Sequence, residues 1–574
     1  MASPQSHTII ARLIPMLTRR MGGPLGRHSL VASGAWAYLL ATFSWLICML
    51  RQIPCTQRFP NDSPARFVYM CYTDISALYF SRGQGTGGIP YVDVQWEYPV
   101  LTGYFASLAS WLSQICGAVF RNDIDQYQLL TNENIYFAIS AVGLFLCLLW
   151  LISSTLRIMP NSPGFAMVLA LSPNLMTTGL INWDLLAVAL TAAGLAAWLE
   201  SRPVWAGVWW GLGVAAKLYP IVIIGALFIL CIRPEARRNL SKLASWLLML
   251  GVAGVAWLAT NLPVMLTHPE GWKYFYTMNA DRGADWGSFW LALSFAGVEY
   301  DSWAMLSRIV MVVGYLLLAV LIYFAKRTPS VQQIAYLAVI IMIVGNLVYS
   351  PQYVLWVLPL VILIRPYLLD LTVFTVSELI YFVFVWLQIG EVDLSLGFGF
   401  RPWAYILSIF IRIGATVWII YRVVQDVLAP SKDTPDRYFA ATNPNPDEGV
   451  RDPIFKGEPL FAEDVHRFDL AEDPTDSDFA ARELNPDEEA QDTAEATVAN
   501  FEEATDPYFA EDVPEPDSAY LAASIHTVPD EIDSEELFAP NEPKPTVQRP
   551  ASLARRLSAI SDRTNQLNHN TDDE

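Results

Sequence analysis

VWAGVWWGLGVAAKLYPIVIIGALFILCI, residues 204–232, is apolar along its whole length apart from one charge, Lys217. A helix with no polar face has no water-facing side, so such a run belongs in a bilayer or a deep core. About 20 residues of this kind cross the ~30 Å of hydrocarbon. The pattern repeats at 31–50, 99–120, 134–156, 164–181, 184–199, 243–262, 303–325, 332–349, 351–364, 371–388 and 402–424. No globular fold of this size buries so many such helices. The expected fold class is therefore an all-α polytopic membrane protein with ten to twelve transmembrane helices.

Outside these runs the chain is a different polymer. Residues 430–574 hold 36 of the 56 acids and only 11 of the 36 bases, so the net charge of −20 belongs to the tail. Pro, Asp, Glu, Ala and Asn dominate it, with too few apolar residues to offset ordering entropy. Three regions follow: a basic cytoplasmic N-terminus over 1–30, a membrane domain over 31–428, and a disordered acidic cytoplasmic tail over 429–574. Phe461-Ala-Glu-Asp-Val465 recurs as Phe509-Ala-Glu-Asp-Val513. These repeats read as spacers in an acidic linker or as docking motifs for a cytoplasmic protein partner.

Basic clusters orient the body, because Lys and Arg collect on the cytoplasmic side. Arg12, Arg19, Arg20 and Arg27 precede the first run, Arg233 to Lys242 follow the sixth, and Lys326–Arg327 and Arg422 come later. Counting crossings from a cytoplasmic N-terminus places all of them inside. Both termini are then cytoplasmic in a plasma (inner) membrane protein, and the loops 51–98, 263–302 and 389–401 lie outside. Two segments leave alternatives open. Residues 163–181, with Ser172-Pro173-Asn174, either cross or re-enter. Residues 204–232, broken at Lys217-Leu218-Tyr219-Pro220, either cross or form a hairpin with its tip outward. Among six cysteines, Cys55 and Cys71 share the outer loop, where a disulfide can form; the others read as buried thiols.

Polar groups inside the apolar body or at its outer rim are the candidates for chemistry. The first loop contains Tyr72-Thr73-Asp74-Ile75, then Pro90-Tyr91, Asp93 and Glu97-Tyr98-Pro99. A carboxylate there suits a base acting on a hydroxyl nucleophile, and an ordinary polar loop explains the same residues. Lys217 is costly in hydrocarbon unless paired; its partner is a substrate anion such as a lipid phosphate, or Asp184 internally. Asn182-Trp183-Asp184 opens a helix, where an acid also suits the helix dipole. In the loop 263–302, His268 and Arg282 stand among aromatics, and a guanidinium grips phosphate through two bonds. In Ser350-Pro351-Gln352-Tyr353, Gln352 hydrogen-bonds a sugar or caps a helix.

Taken in order, Tyr72-Thr73-Asp74-Ile75, Pro90-Tyr91, Glu97-Tyr98-Pro99, Ser172-Pro173-Asn174, Asn182-Trp183-Asp184, Ala216-Lys217-Leu218-Tyr219-Pro220 and Ser350-Pro351-Gln352-Tyr353 resemble membrane glycosyltransferases of the GT-C type. They are especially similar to the actinobacterial family GT87 and to the GPI-anchor first mannosyltransferase. The resemblance covers roughly residues 70–360 and none of the tail. It implies a GT-C-like fold and a polyprenyl-phosphate sugar donor. The sugar, mannose first and arabinofuranose next, would pass to a glycolipid or polysaccharide acceptor of the cell envelope on the outer face. It implies Asp74 as the catalytic carboxylate. Lys217, Arg282, His268, Gln352, Tyr353, Asp93, Glu97, Asn182 and Asp184 are then candidates for donor and substrate contacts. The GPI enzyme has a second Asp two residues on, where this chain has Ser76, so a divalent metal is left open and no cofactor is assigned. Membrane lipid is an expected partner and nucleic acid is not. Two rival readings are a lipid-linked sugar flippase or transporter, for which matching internal halves are not visible, and a membrane-anchored scaffold acting through the tail.

Overall fold

The computed structural model describes residues 26–57, 65–120, 131–160, 162–233, 240–298, 300–326, 328–394 and 401–428. The tail from 429 onward and the basic segment 1–25 lie outside the described residues. By contacts the chain divides into two units, 1–471 and 472–574, and every described residue belongs to the first.

The described chain is helical, and its only β pairing is one bridge between Pro90 and Val94. The helices are α1 Gly26–Gln57, α2 Asp74–Ser81, α3 Val100–Phe120, α4 Asn132–Ile158, α5 Gly164–Ala170, α6 Pro173–Thr178, α7 Asp184–Leu199, α8 Pro203–Ala216 and α9 Pro220–Cys231. They continue with α10 Leu240–Thr267, α11 Pro269–Ala280, α12 Phe289–Phe295, α13 Trp303–Phe324, α14 Val331–Gly345, α15 Val354–Ile364, α16 Leu368–Leu394 and α17 Pro402–Leu428. Stretches of α1, α4, α10, α13, α16 and α17 are long and apolar enough to cross a membrane. The all-α polytopic class expected from the sequence is the observed one.

Polar contacts sort the helix ends onto two levels. At one level Arg157, at the end of α4, pairs with Glu200, which follows α7. There, too, Arg365 after α15 pairs with Asp370 in α16 and Asp426 near the end of α17. Arg233, after α9, donates to the carbonyls of Ile322 and Ala325 at the end of α13. At the other level stand the first loop, Asn182–Asp184, Lys217 and Gln352. Twelve passages join the two levels among the described residues: α1, α4, the broken α5–α6, α7, α8, α9, α10, α13, α14, α15, α16 and α17.

Two passages differ from a plain reading of hydropathy. The run 204–232 turns back at Lys217, whose extended backbone ends α8. At 14 and 12 residues, α8 and α9 are only about 21 and 18 Å long, by a 1.5 Å rise per residue, and too short to span singly. Together they form a hairpin with its tip at the Lys217 level. The run 99–120 is one helix that stays beside that level, with Thr102 hydrogen-bonded to the carbonyl of Ala216 at the hairpin tip. Ser110 in α3 donates to the carbonyl of Gln84 in the first loop, and Tyr136, in the first turns of α4, donates to the side chain of Gln84. Its exposed Tyr104, Leu108, Trp111 and Ile115 form a single stripe at helical spacing. That one-sided pattern averages to the hydropathy of a crossing without being one.

Small residues let the short helices pack closely. Cβ atoms at Gly207 and Gly211 would sit 2.5 and 2.3 Å from the carbonyl oxygens of Met249 and Ala253 in α10. This spacing of small residues brings two backbones together where lipid offers no hydrophobic drive. Cys55 and Cys71 form a disulfide that ties the end of α1 to the first loop.

Candidate active site

The helix α2 is nucleated by Thr73, whose extended backbone and side-chain oxygen cap the amide of Ile75. The same hydroxyl donates to the carbonyl of Ile181, as does the amide of Asp74, at 3.3 and 2.7 Å. The Thr73–Asp74 step is thereby fastened to the strand of chain that runs into Asn182-Trp183-Asp184. Two motifs far apart in sequence become one structure.

Asp74 opens on a cavity of about 400 Å³. The hydroxyl of Tyr98 donates to its carboxylate at 2.7 Å, and Tyr72 reaches the same group. Asn182 in turn donates to the Tyr98 hydroxyl at 3.2 Å. Burial raises the Asp74 carboxyl above its ordinary range. The two phenols and the charge of Lys217 oppose that rise, and the nearby Asp184 adds to it. A carboxylate so placed is a stronger base than a solvated one, yet is held in one orientation.

Tyr98 owes its position to Tyr91, whose hydroxyl donates to the carbonyls of both Tyr98 and Pro99 at 2.8 Å. Tyr91 adopts a left-handed backbone, φ 70°, costing of the order of 1–3 kcal/mol for a bulky residue. Its buried ring and its two hydrogen bonds offset that strain. Pro90-Tyr91 and Glu97-Tyr98-Pro99 are thus a brace and the part it braces.

Lys217 lines the same cavity as Asp74. Its ammonium lies 2.8 Å from Asp184, so the internal partner weighed from sequence is present. It also lies 4.4 Å from the Tyr98 ring centre. The second oxygen of Asp184 accepts from the indole of Trp356 at 2.9 Å. Trp356 is stacked between Tyr219 and Tyr353, at 4.7 and 4.0 Å. Asp184 is more than a helix-capping acid, since it holds the charge at the hairpin tip.

Glu97, Arg282 and Gln352 also line the cavity. Glu97 pairs with Arg82, Arg282 with Asp285, and Gln352 accepts from the Ser350 hydroxyl. Asn182, Asp184 and Tyr353 stand directly behind the wall. Two candidates from the sequence do not reach it. His268 caps α11, with a ring nitrogen 3.0 Å from the Thr267 hydroxyl. Asp93 is exposed and accepts the amide of Ile89, closing a turn. Local hydrogen bonds account for both, as they often do for polar residues at helix starts and turns. Among the described residues no three His, Cys, Asp or Glu side chains group to hold a metal ion.

Several wall residues carried no signal in the sequence reading. Trp386 and Ile389 come from the C-terminal third of α16, where aromatic and aliphatic residues look like lipid-facing ones. Arg66 was overlooked because it lies in a polar loop ahead of the motif. Tyr72 and Tyr98 were in the motifs but their role, holding the carboxylate, appears only in three dimensions.

The site thus gathers a carboxylate of raised basicity, a buried ion pair and an aromatic wall at one end of a bundle of apolar helices. Residues 127–351 match the model of glycosyltransferase family 87, which bears out the resemblance to that family. The matched stretch includes Asn182, Asp184, Lys217 and Arg282 and stops short of Gln352; Asp74 precedes it. No curated protein matches the chain.

Proposed function

We propose that this glycosyltransferase takes its sugar from a polyprenyl-phosphate donor and works on the outer face of the membrane. Mannose is the favoured sugar, arabinofuranose the next, and a cell-envelope glycolipid or polysaccharide the acceptor. The observation that carries the reading is the sharing of one cavity by Asp74 and Lys217 at the tip of a hairpin embedded among membrane helices. A donor with an apolar tail and a charged head suits such a place, since its prenyl chain stays in lipid while its phosphate and sugar reach the polar cavity.

The acceptor hydroxyl attacks the anomeric carbon. A carbon–oxygen bond forms on one face as the bond to the phosphate oxygen breaks on the other, and the bonding pair leaves with the phosphate. Asp74 takes the hydroxyl proton. A single displacement of this kind inverts the anomeric centre. The Lys217–Asp184 pair keeps a positive centre beside the cavity without a net buried charge.

The test is transfer in membranes, with labelled polyprenyl-phosphate mannose and, separately, polyprenyl-phosphate arabinofuranose. Wild type is expected to use one of them. Asp74→Asn, which keeps the shape and the tyrosine contacts, is expected to lose transfer by on the order of 10²–10⁴-fold at unchanged membrane abundance. Undiminished transfer by Asp74→Asn removes the base; transfer from neither donor by the wild type removes the donor class.

A further inference from the structure

We propose that Arg66 is the residue that binds the donor phosphate. This inference rests on the lipid-phosphate donor proposed above. Six charged side chains line the cavity: Arg66, Asp74, Glu97, Lys217, Arg282 and Asp285. Four of them are committed. Lys217 is bound by Asp184, Glu97 by Arg82, and Arg282 by Asp285 across 3.1 Å. Among the described residues, the two left without an ion-pair partner are one carboxylate, Asp74, and one guanidinium, Arg66.

The setting of Arg66 is that of a site waiting for an anion. Its guanidinium carbon lies 5.0 Å from the ring centre of Phe67 and 5.2 Å from that of Tyr72. The two rings stack on each other, and Trp386 of α16 stacks on Phe67 and lies tilted against Tyr72. Aromatic rings attract and orient a guanidinium but satisfy none of its N–H groups. The Nε of Arg66 is shielded from solvent and has no hydrogen-bond partner. A planar fork of donors mounted on rings matches two phosphate oxygens better than a lysine point charge does.

The relation to Asp74 fits the chemistry. Tyr72 presents its ring to Arg66 and its hydroxyl to Asp74. The free cation and the free carboxylate therefore stand on either side of one tyrosine and do not neutralise each other. In an inverting displacement the nucleophile and the leaving group occupy opposite sides of the anomeric carbon, so base and phosphate contact must be separate. As the sugar–phosphate bond breaks, the phosphodiester monoanion becomes a phosphomonoester with a further negative charge. A cation at the phosphate is then favoured more in the transition state than in the bound donor.

The position is also held. The Cys71 amide donates to the carbonyl of Arg66 at 3.0 Å, and Cys71 is disulfide-bonded to Cys55 at the end of α1. The single helical turn Ala65–Val68 is thus fixed through Cys71 to the end of α1, two residues ahead of the Thr73–Asp74 step.

The experiment uses the full-length protein in nanodiscs and measures binding of undecaprenyl phosphate, with undecaprenol and inorganic phosphate as separate arms, alongside transfer. Arg66→Gln is expected to weaken undecaprenyl phosphate binding at least tenfold and to reduce kcat on the order of 10²-fold. Asp74→Asn is expected to bind the lipid phosphate as well as wild type while failing to transfer. Arg66→Lys, which keeps the charge without the fork, is expected to recover part of both losses, and this guards against Arg66→Gln acting by misfolding. Undecaprenol is expected not to bind measurably, and inorganic phosphate to bind weakly and only with Arg66 present. Wild-type affinity in Arg66→Gln, with Asp74→Asn still inactive, overturns the role of Arg66 and leaves the glycosyl-transfer reading standing. Equal affinity of wild type for undecaprenol and its phosphate overturns the phosphate site altogether. Failure of the wild type to bind the lipid phosphate or use either donor overturns both.

Discussion

Asp74 shows how much a single residue's chemistry depends on its hydrogen bonds. Burial raises its carboxyl, and the hydroxyl of Tyr98 opposes that rise. As a base it works only when ionised, so transfer is expected to fall as the pH drops through a value above the ~3.9 of a solvated aspartate. Tyr98→Phe removes a donor that favours the ionised form, and the acidic limb of the kcat/KM profile is expected to move to higher pH. A hydrogen bond to a charged group contributes about 1.5–3 kcal/mol, which sets the upper scale of the shift at about one to two pH units. A profile that stays put, or moves to lower pH, contradicts the assignment of Asp74 as the base. At this scale the sequence was legible wherever a polar residue was anomalous. Lys217 stood out because a charge inside an apolar run demands a partner, and Asp184 was among the partners weighed. Arg66 did not stand out, because a loop arginine is ordinary until its neighbours turn out to offer rings and no carboxylate.

At the scale of elements, the helices α16 and α17 build a wall that hydropathy describes only as two spans. Arg412 in α17 donates to the carbonyl of Gly287 at 2.9 Å and packs 3.6 Å above the ring centre of Tyr349. Tyr349 donates to Glu378 in α16 at 2.8 Å. Gly287 gives its amide to Tyr405, and its neighbour Trp286 lines the cavity beside Tyr349. A charge buried in a membrane helix has a function by default; here Arg412 and Glu378 fix the loop that closes the cavity. Gly287 is essential to this arrangement. It has φ 74°, and a Cβ there would lie 1.9 Å from the Tyr381 hydroxyl and 2.1 Å from the Tyr349 carbonyl. Gly287→Ala is expected to lower the unfolding temperature and to cut transfer together, at a cost of at least about 1–3 kcal/mol. Transfer and thermal stability at wild-type levels contradict the wall as drawn. The sequence reading found the loop but not its attachment, because contacts between residues 287, 349, 378 and 412 leave no periodic trace in any one of their segments. The run 99–120 misled for a related reason. Average hydropathy measures how apolar a segment is, whereas crossing depends on where its two ends are tied.

At the scale of the whole molecule, the separation of the two ends argues for orientation. Arg157, Arg202, Arg233 and Arg365 gather at the level away from the cavity, and Arg422 stands beside Asp426 there. By the positive-inside rule we propose that this level is the cytoplasmic one and that the cavity faces outward. The short helices fit this placement. α7, α8, α9, α14 and α15 stop at the cavity, so the donor's head would meet the protein within the outer part of the bilayer while its prenyl chain stays in hydrocarbon. A broken or shortened helix is tolerated in a membrane only where it faces protein or a wet cavity. The cavity is therefore the reason for helices too short to span, as well as the place where they end. Val92 on the first loop is 44% exposed, and the side chain of Arg202 at the opposite level is 64% exposed. In intact cells, Val92→Cys is expected to react with a membrane-impermeant maleimide, whereas Arg202→Cys is expected to react only after permeabilisation. The reverse pattern would put the cavity on the cytoplasmic face. The catalytic geometry could survive that result, but not the outer-leaflet donor, because the lipid phosphate would then have to be supplied from the opposite leaflet.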